Sequence, residues 1–343
     1  MEYVSAVPQG AHSLPDGDAY YAERLAFYTH SDMSEDEIHE LGLAEVARIH
    51  EEMAEIMDEV KFQGNLQDFF AYVRDDERFY YANTDDGRTA YIEEVQRLLG
   101  ELQPRLPEFF GILPKSALEV KRVEPFREQD GAVQIYQVGT ANGSRPGVYY
   151  IHMSEMSAYN KTDLETTAYH EGSPGHHMQL SIAKELTDVP RFRTNVGYSA
   201  YTEGWGLYAE YLALEMGAFQ DPYNNFGRLV AEIWRAIRLV VDTGLHAKGW
   251  SEKQAVEYML VNSAIPEGAV RSEIRRYLVL PGQATSYKAG MLKIQQLRAE
   301  AEARLGDKFD IRAFHDTVLG GGAVPLPILE KMVDDWIESV ERG

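Results

Sequence analysis

Three of the ten histidines lie within eight residues of one another, in the run His170-Glu171-Gly172-Ser173-Pro174-Gly175-His176-His177. Imidazole and carboxylate groups are common zinc ligands. In the zinc motif His-Glu-x-x-His, two histidines on one helix face chelate the metal, and the glutamate is the general base. The cluster therefore predicts a metal centre with Glu171 as the candidate base. The alternative is a polar loop or a helix cap.

The spacing of the cluster departs from that motif, because Pro174 stands where the second histidine would be. On a regular helix, His170 and His177 would lie about 10 Å apart along the axis, which is too far for one ion. The inserted Ser-Pro-Gly segment must therefore form a bulge or a kink. A bulge of two residues makes His176 the second ligand, whereas a bulge of three makes it His177. We favour His176, because Gly175-His176 restores a His-Glu-x-Gly-His pattern.

Zinc needs a third protein ligand, and Glu203 is the best candidate. The chain between His176 and Glu203 has room for a helix, a loop and the start of a second helix. Aromatic residues surround Glu203 in the sequence, and a carboxylate in such surroundings needs a partner. The alternative is a surface acid near a helix start, where the helix dipole favours it. Glu210 is the rival ligand, although it looks more like a residue that supports the site or lies on a solvated face.

The amino-acid composition excludes several kinds of metal site and of binding partner. The 343 residues include no cysteine, which excludes disulfides, thiolate ligands and a cysteine nucleophile. Any metal must therefore be held by His, Asp or Glu. The 33 basic residues against 55 acidic ones give a net charge of −22, which argues against nucleic acid and anionic membranes as partners.

No signal for a membrane or for export is visible in the sequence. No apolar run approaches the length of about 18 residues that a transmembrane helix needs. The start, MEYVSAVPQG, has neither a basic region nor an apolar core, so it is not a signal peptide. We therefore expect a cytoplasmic location, and a periplasmic or lipoprotein origin if the N-terminus is truncated.

Most of the segments that must position these residues have sequence patterns typical of helices. Residues 1–33 contain several Pro and Gly residues and predict an extended lead-in. Ser34 and Glu37 form a capping box that predicts the start of a helix closing at Gly64. A second helix is predicted from Arg88 to Leu102, before Pro104.

Residues 117–153 instead show strand patterns and predict a small three-stranded sheet immediately before the histidine cluster. The predicted strands are 118–121, 133–138 and 147–153. Helical patterns resume with the metal-site helices in 163–215 and continue to the end. The sequence therefore predicts one mostly helical domain, 1–343, with an inserted sheet.

The motifs around the histidines and Glu203 are similar to those of a known family. The runs His-Glu-x-x-Pro-Gly-His-His and Glu-Gly-Trp-x-Leu-Tyr-Ala-Glu resemble those of the bacterial family called domain of unknown function 885 (DUF885). The resemblance covers most of the chain, and further matching segments are Leu14-Pro15-Asp16-Gly17, His39-Glu40-Leu41-Gly42, the run from Pro281 to Gly290, and Phe314-His315-Asp316 through Pro325-Leu326. The family in turn resembles gluzincin zinc metallopeptidases of the carboxypeptidase Taq type. This implies a helical zincin-like fold with a groove and a short sheet at its edge.

The resemblance also implies a role for each candidate residue. His170, His176 or His177, and Glu203 would hold one Zn²⁺ ion, and Glu171 would be the general base. The further implied site residues are Tyr287 as a hydrogen-bond donor to the oxyanion, Tyr149 and Tyr150 in an edge strand against which a peptide lies, and Arg271, Arg275 and Arg276 as binders of a substrate carboxylate. The alternatives are a packed aromatic for Tyr287, a plain sheet strand for the tyrosine pair, and a solvated helix face for the arginines.

The implied activity is hydrolysis of a peptide bond by a metal-activated water, with a peptide or small amide as substrate. The alternatives are a metal-dependent amidase or esterase on the same scaffold, and a binding protein with a degenerate site. Members of the family are typically longer, with a helical region before the part that this chain represents. The resemblance therefore implies that the chain lacks an N-terminal helical region. We expect that region, or a second copy of the chain, as a further binding partner.

Overall fold

The computed structural model describes residues 9–129 and 134–343. These residues form fourteen α-helices and three short β-strands, which confirms the expectation of a mainly helical fold with a small sheet. None of the described helices combines the length and the apolar character needed to cross a membrane.

Eight helices and strands precede the histidine cluster, and nine carry or follow it. The first group is α1 (Gly17–Thr29), α2 (Glu35–Glu59), α3 (Leu66–Asp75), α4 (Asp85–Leu102), α5 (Leu106–Phe109), β1 (Leu118–Arg122), β2 (Ile135–Gln137) and β3 (Gly147–Ile151) within the described residues. The second group is α6 (Lys161–Glu171), α7 (His176–Glu185), α8 (Ser199–Glu215), α9 (Pro222–His246), α10 (Glu252–Asn262), α11 (Glu267–Val279), α12 (Ser286–Leu305), α13 (Ile311–Gly320) and α14 (Leu326–Arg342).

The chain divides into two compact units. One, the helical unit, consists of Met1–Asp75 and Leu229–Lys288. The other, the sheet unit, consists of Asp76–Arg228 and Ala289–Gly343. The histidine cluster and Glu203 both belong to the sheet unit.

In the helical unit, the predicted start of α2 is confirmed. Ser34 Oγ accepts a hydrogen bond from the backbone N–H of Glu37, and the Glu37 side chain accepts one from the backbone N–H of Ser34. The prediction of an extended lead-in over residues 1–33 is wrong for its second half, because α1 occupies Gly17–Thr29. Tyr21 and Leu25, one helical turn apart, are buried and hold α1 against the core. Residues 1–8 lie outside the described part of the chain.

In the sheet unit, all three predicted strands are present, and the order across the sheet is β1-β3-β2. β3 pairs parallel with β1 and antiparallel with β2. β3 is therefore the central strand, and the prediction that it is an edge strand is wrong. Val133, which the second predicted strand included, lies outside the described residues.

The core of the sheet unit fixes the three helices that carry the candidate site. Apolar side chains from α4, α6, α7, α8, α12, α13 and α14 pack together with those of β3. Trp205 on α8 is fully buried there. Each large apolar side chain buried in this way contributes about 1.5–3 kcal/mol to folding.

Two glycines allow α8 and α12 to cross with their backbones in contact. A Cβ atom on Gly290 would lie 1.9 Å from the carbonyl oxygen of Ala200. A Cβ atom on Gly204 would lie 2.5 Å from the carbonyl carbon of Gly290. Neither position has room for a side chain, so this crossing fixes α8 next to Glu203.

Candidate metal centre

The break within the histidine cluster forms where it is predicted. α6 ends at Glu171 and α7 begins at His176. Across the break, the backbone N–H of Gly175 donates to the carbonyl of Tyr169 (3.0 Å). A Cβ atom on Gly175 would lie 2.0 Å from the carbonyl oxygen of His170, so a side chain would clash with the end of α6.

This break brings two of the histidines together and turns the third away. The ring centroids of His170 and His176 are 4.7 Å apart, with the ring planes at 82°. His177 Nδ1 instead forms a hydrogen bond with the hydroxyl of Tyr136 on β2 (3.0 Å). Burial lowers the pKa of His177 to about 4, so it is a neutral packed side chain. The geometry therefore favours His176 over His177 as the partner of His170.

Glu203, near the start of α8, faces both of these histidines. Its Oε2 lies 3.6 Å from His170 Nε2 and 3.6 Å from His176 Nε2. Ligand atoms around a tetrahedral zinc, at bond lengths of about 2.0–2.1 Å, are separated by about 3.3–3.4 Å. A small movement of the side chains would therefore bring the ligand atoms to the separation found around zinc. The three residues fit a His, His and Glu ligand set.

Glu171 lies beside this trio. Ligand atoms of His170, Glu171 and His176 all lie within 4.8 Å of one another. Glu203 Oε2 lies 3.6 Å from the Nε2 atom of each histidine, close to the separation of ligand atoms around zinc, so Glu203 fits the place of the third ligand. Glu171 is half-buried, and its carboxylate makes no hydrogen bond to any described residue, which leaves it available to a reactant.

The charges of the cluster suit a cation. Burial opposes protonation of His170, but hydrogen bonds to Glu203 and Glu210 outweigh it and raise its pKa to about 10. Burial likewise opposes ionisation of Glu203, yet hydrogen bonds to the two histidines hold its pKa below its usual value. A divalent cation could replace the proton that these groups share, and its binding would release that proton.

The burial of the cluster is uneven. The side chains of His170 and His176 are 7% and 10% exposed, whereas that of Glu203 is 25% exposed. His176 Nδ1 is buried and finds no hydrogen-bond partner in the described part of the chain. Of the three candidate ligands, Glu203 is therefore the one most exposed to solvent.

Glu210, the rival ligand from the sequence, lies on the far side of His170. His170 Nδ1 donates to Glu210 Oε1 (2.7 Å), and Thr166 Oγ1 donates to Glu210 Oε2 (2.8 Å). Glu210 therefore fixes the tautomer and orientation of His170 and leaves its Nε2 free to bind a metal. Carboxylate partners of this kind raise the basicity of a ligating histidine.

Replacing Glu210 with glutamine is expected to weaken zinc binding by about 10- to 100-fold, because the amide is a poorer acceptor for His170 Nδ1–H. Competition against a chromogenic chelator measures the affinity. Glu215→Gln, on the same helix but paired with Arg298, is the matched control and should bind zinc as the unchanged protein does. Equal affinity for both variants would show that His170 does not depend on Glu210.

Two residues that sequence reasoning missed also shape the site. Trp205 Nε1 donates to the carbonyl of Pro174 (3.0 Å) and ties the break between α6 and α7 to α8. A Cβ atom on Gly206 would lie 2.6 Å from the ring of His170, so a glycine is needed for α6 and α8 to approach. The only available signal was the unusual Glu-Gly-Trp-Gly composition of the helix start.

The two tyrosines predicted to bind substrate lie on β3 and face opposite sides of the sheet. Tyr149 is fully buried in the central strand, and its hydroxyl donates to Gln134. Burial, with Tyr91 and Glu171 nearby, holds the pKa of the Tyr149 hydroxyl well above its usual value. Tyr149 is therefore a core residue and is not available to a peptide. Tyr150 points to the opposite face, where it is half-buried.

The remaining predicted residues belong to the helical unit. Arg275 pairs with Glu252 (3.2 Å) and Arg276 with Glu273 (2.9 Å), while the ring centroid of Tyr287 lies 4.5 Å from Arg238 Cζ. Arg271 likewise pairs with Glu267 (2.6 Å), so all three predicted arginines already have carboxylate partners. Roles in substrate recognition for them, and an oxyanion role for Tyr287, stay predictions.

Comparison with solved structures finds proteins similar to this chain. The chain is similar to the crystal structure of a candidate lipoprotein from Colwellia psychrerythraea, with 40% identity and a TM-score of 0.93 over 97% of this chain and 57% of that one. It shares its fold with a candidate lipoprotein of unknown function from Shewanella oneidensis, with 21% identity and a TM-score of 0.75 over 92% of this chain and 59% of that one.

The chain thus spans less than two thirds of the length of either solved relative. No curated protein matches it. A family model described as "Bacterial protein of unknown function (DUF885)" matches residues 2–333, nearly the whole sequence. The chain belongs to the DUF885 family.

Proposed function

We propose that this protein is a zinc-dependent peptidase of the carboxypeptidase or dipeptidase kind. The observation that carries the proposal is the position of Glu203 Oε2, 3.6 Å from the Nε2 atoms of both His170 and His176. Two imidazoles and a carboxylate around one point, with a second carboxylate beside them, form the donor set of a catalytic zinc site. The gluzincin-like character suggested by the sequence motifs supports the same proposal.

The roles of the residues follow from their surroundings. His170, His176 and Glu203 would hold the ion, and Glu210 would keep the His170 imidazole in place. When bound, zinc acts as a Lewis acid that activates water and polarises a carbonyl group. Glu171 accepts a proton from the attacking water and passes it to the leaving amine, because its carboxylate is not engaged by another described residue.

The test is metal analysis joined to an activity panel. The purified protein is expected to contain about one zinc ion per chain, to lose hydrolysis of peptides on treatment with a chelator, and to regain it on addition of Zn²⁺. The panel pairs each peptide with the matching ester. Hydrolysis of the esters alone would overturn the peptidase assignment in favour of an esterase. Absence of zinc, with no restoration on adding it, would identify a degenerate binding site.

The setting of the protein is part of the proposal. Both solved relatives are candidate lipoproteins, which supports a role at the cell envelope. Because the chain spans 57% of the Colwellia protein, activity of the whole-length relative should be measured in parallel. Hydrolysis by both proteins would show that these 343 residues are sufficient.

A further inference from the structure

A cavity of about 440 Å³ lies in the sheet unit where α4, the start of α6 and the start of α9 meet the turn at 77–81. This volume falls in the range of about 300–1,000 Å³ typical of small-molecule sites. The residues around it combine both charges with aromatic rings. The ones on which the argument depends are Phe79, Tyr81, Glu94, Lys161, Asp221 and Tyr223.

Lys161 supplies a positive charge that no carboxylate of residues 9–129 or 134–343 neutralises. Its Nζ donates to the carbonyl oxygen of Arg78 (2.9 Å) and lies 4.9 Å from the centroid of the Tyr81 ring. No Asp or Glu of the described residues forms an ion pair with it. The ammonium is therefore held in position while most of its hydrogen-bonding capacity remains available, a state that favours binding of an anion.

Asp221 supplies a negative charge that is likewise not neutralised by any described residue. One of its carboxylate oxygens accepts a hydrogen bond from the backbone N–H of Tyr223 (2.9 Å) and caps α9. No basic side chain within the described ranges pairs with it. The other carboxylate of the cavity, Glu94, is already bound by Arg97 (2.6 Å and 2.8 Å), so Asp221 is the carboxylate left for a cationic group.

Aromatic rings line the cavity alongside these charges. Phe79 and Tyr223 contact each other with ring centroids 5.2 Å apart. The guanidinium of Arg78 lies over both rings, 4.4 Å from the first centroid and 4.8 Å from the second. Phe79 is buried, at 6% exposure, so the half-buried rings of Tyr81 and Tyr223 offer the surface for an apolar or aromatic group.

We propose that this cavity binds a zwitterionic amino acid with an apolar or aromatic side chain. Lys161 would bind the carboxylate, Asp221 the ammonium group, and the rings of Tyr81 and Tyr223 the side chain. The two unneutralised charges on one aromatic cavity carry the proposal, since a ligand with both charges satisfies both residues at once.

The cavity is distinct from the metal centre. Lys161 and His170 stand near opposite ends of α6, about 14 Å apart along the helix axis. Binding there needs no metal, so this inference stands or falls independently of the proposed peptidase activity.

Calorimetric titration with three related compounds tests the inference, with EDTA present to prevent chelation at the metal centre. L-phenylalanine carries both charges, L-phenylalaninamide lacks the carboxylate, and N-acetyl-L-phenylalanine lacks the ammonium group. We expect phenylalanine to bind and each derivative to bind at least about tenfold more weakly, because a charge-assisted hydrogen bond is lost.

Two variants locate the binding. Lys161→Met and Asp221→Asn should each weaken phenylalanine binding by at least about tenfold; asparagine keeps the helix cap that Asp221 provides, so folding is preserved. Lys331→Met, an exposed lysine on α14, is the control and should leave binding unchanged. Melting temperatures confirm that each variant is folded.

Three outcomes would overturn the inference. They are absence of binding by phenylalanine, equal binding by either derivative, and undiminished binding by both folded variants. None of these depends on whether the protein hydrolyses peptides.

Discussion

Replacing Glu171 with glutamine is expected to lower kcat for peptide hydrolysis by about 10²- to 10⁴-fold, the usual contribution of a general base. The zinc content should stay at about one ion per chain, because Glu171 lies beside the trio of His170, His176 and Glu203 and is not one of its members. Glutamine has nearly the same shape but cannot accept the proton. Parallel measurement of kcat and bound zinc checks both parts of the expectation.

Two further glutamine variants make that result specific. Glu203→Gln should lose zinc and activity together, because it removes the charged ligand. Glu101→Gln, at an exposed position of α4, should keep both. If Glu171→Gln retained full metal-dependent hydrolysis, the base would have to be another residue. If it lost its zinc, Glu171 would be a ligand.

The break between α6 and α7 could be predicted because its cause is local. Proline cannot continue a regular helix without distortion, and glycine weakens a helix. Only an interrupted helix lets His170 and a later histidine reach one ion. The capping box at Ser34 was predictable for the same reason, since both of its hydrogen bonds join residues three apart.

Features that depend on tertiary contacts were missed or left open. The prediction of extended chain at α1 rested on Pro8, Gly10 and Pro15 ahead of it, although Tyr21 and Leu25 stand one helical turn apart. The prediction that β3 is an edge strand was wrong because β3 also pairs in parallel with β1, which is farther away in the sequence than β2. Three of its five residues are buried apolar side chains, a composition typical of a central strand that could have given a signal.

The role of Glu210 could not be settled from sequence for a similar reason. Glu203 and Glu210 lie on the same helix, and periodicity alone does not tell which one faces Nε2 of a histidine. The approach of α6 to α8 at Gly206 decides it, because that approach places Glu210 against Nδ1 of His170. The carboxylates therefore divide into one candidate ligand and one positioning residue.

The choice between His176 and His177 gives the second large expected effect. His176→Ala should weaken zinc binding by more than about 100-fold, a larger loss than removal of an outer hydrogen-bond partner causes. His177→Ala should retain zinc at the level of the unchanged protein. The substitution should instead lower the free energy of unfolding by about 0.5–1.5 kcal/mol, because the Tyr136 hydroxyl keeps Ser181 Oγ (2.9 Å) but loses its hydrogen bond with a buried imidazole.

The two adjacent substitutions control for each other, since each removes one buried imidazole from the first turn of α7. Zinc affinity by chelator competition and unfolding by denaturant separate the two effects. The reverse pattern, with zinc lost from His177→Ala and kept by His176→Ala, would mean that three residues bulge out between the ligands. Glu203 would then lack its second imidazole partner, and the proposed ligand set would have to be rebuilt around His177 and the sheet.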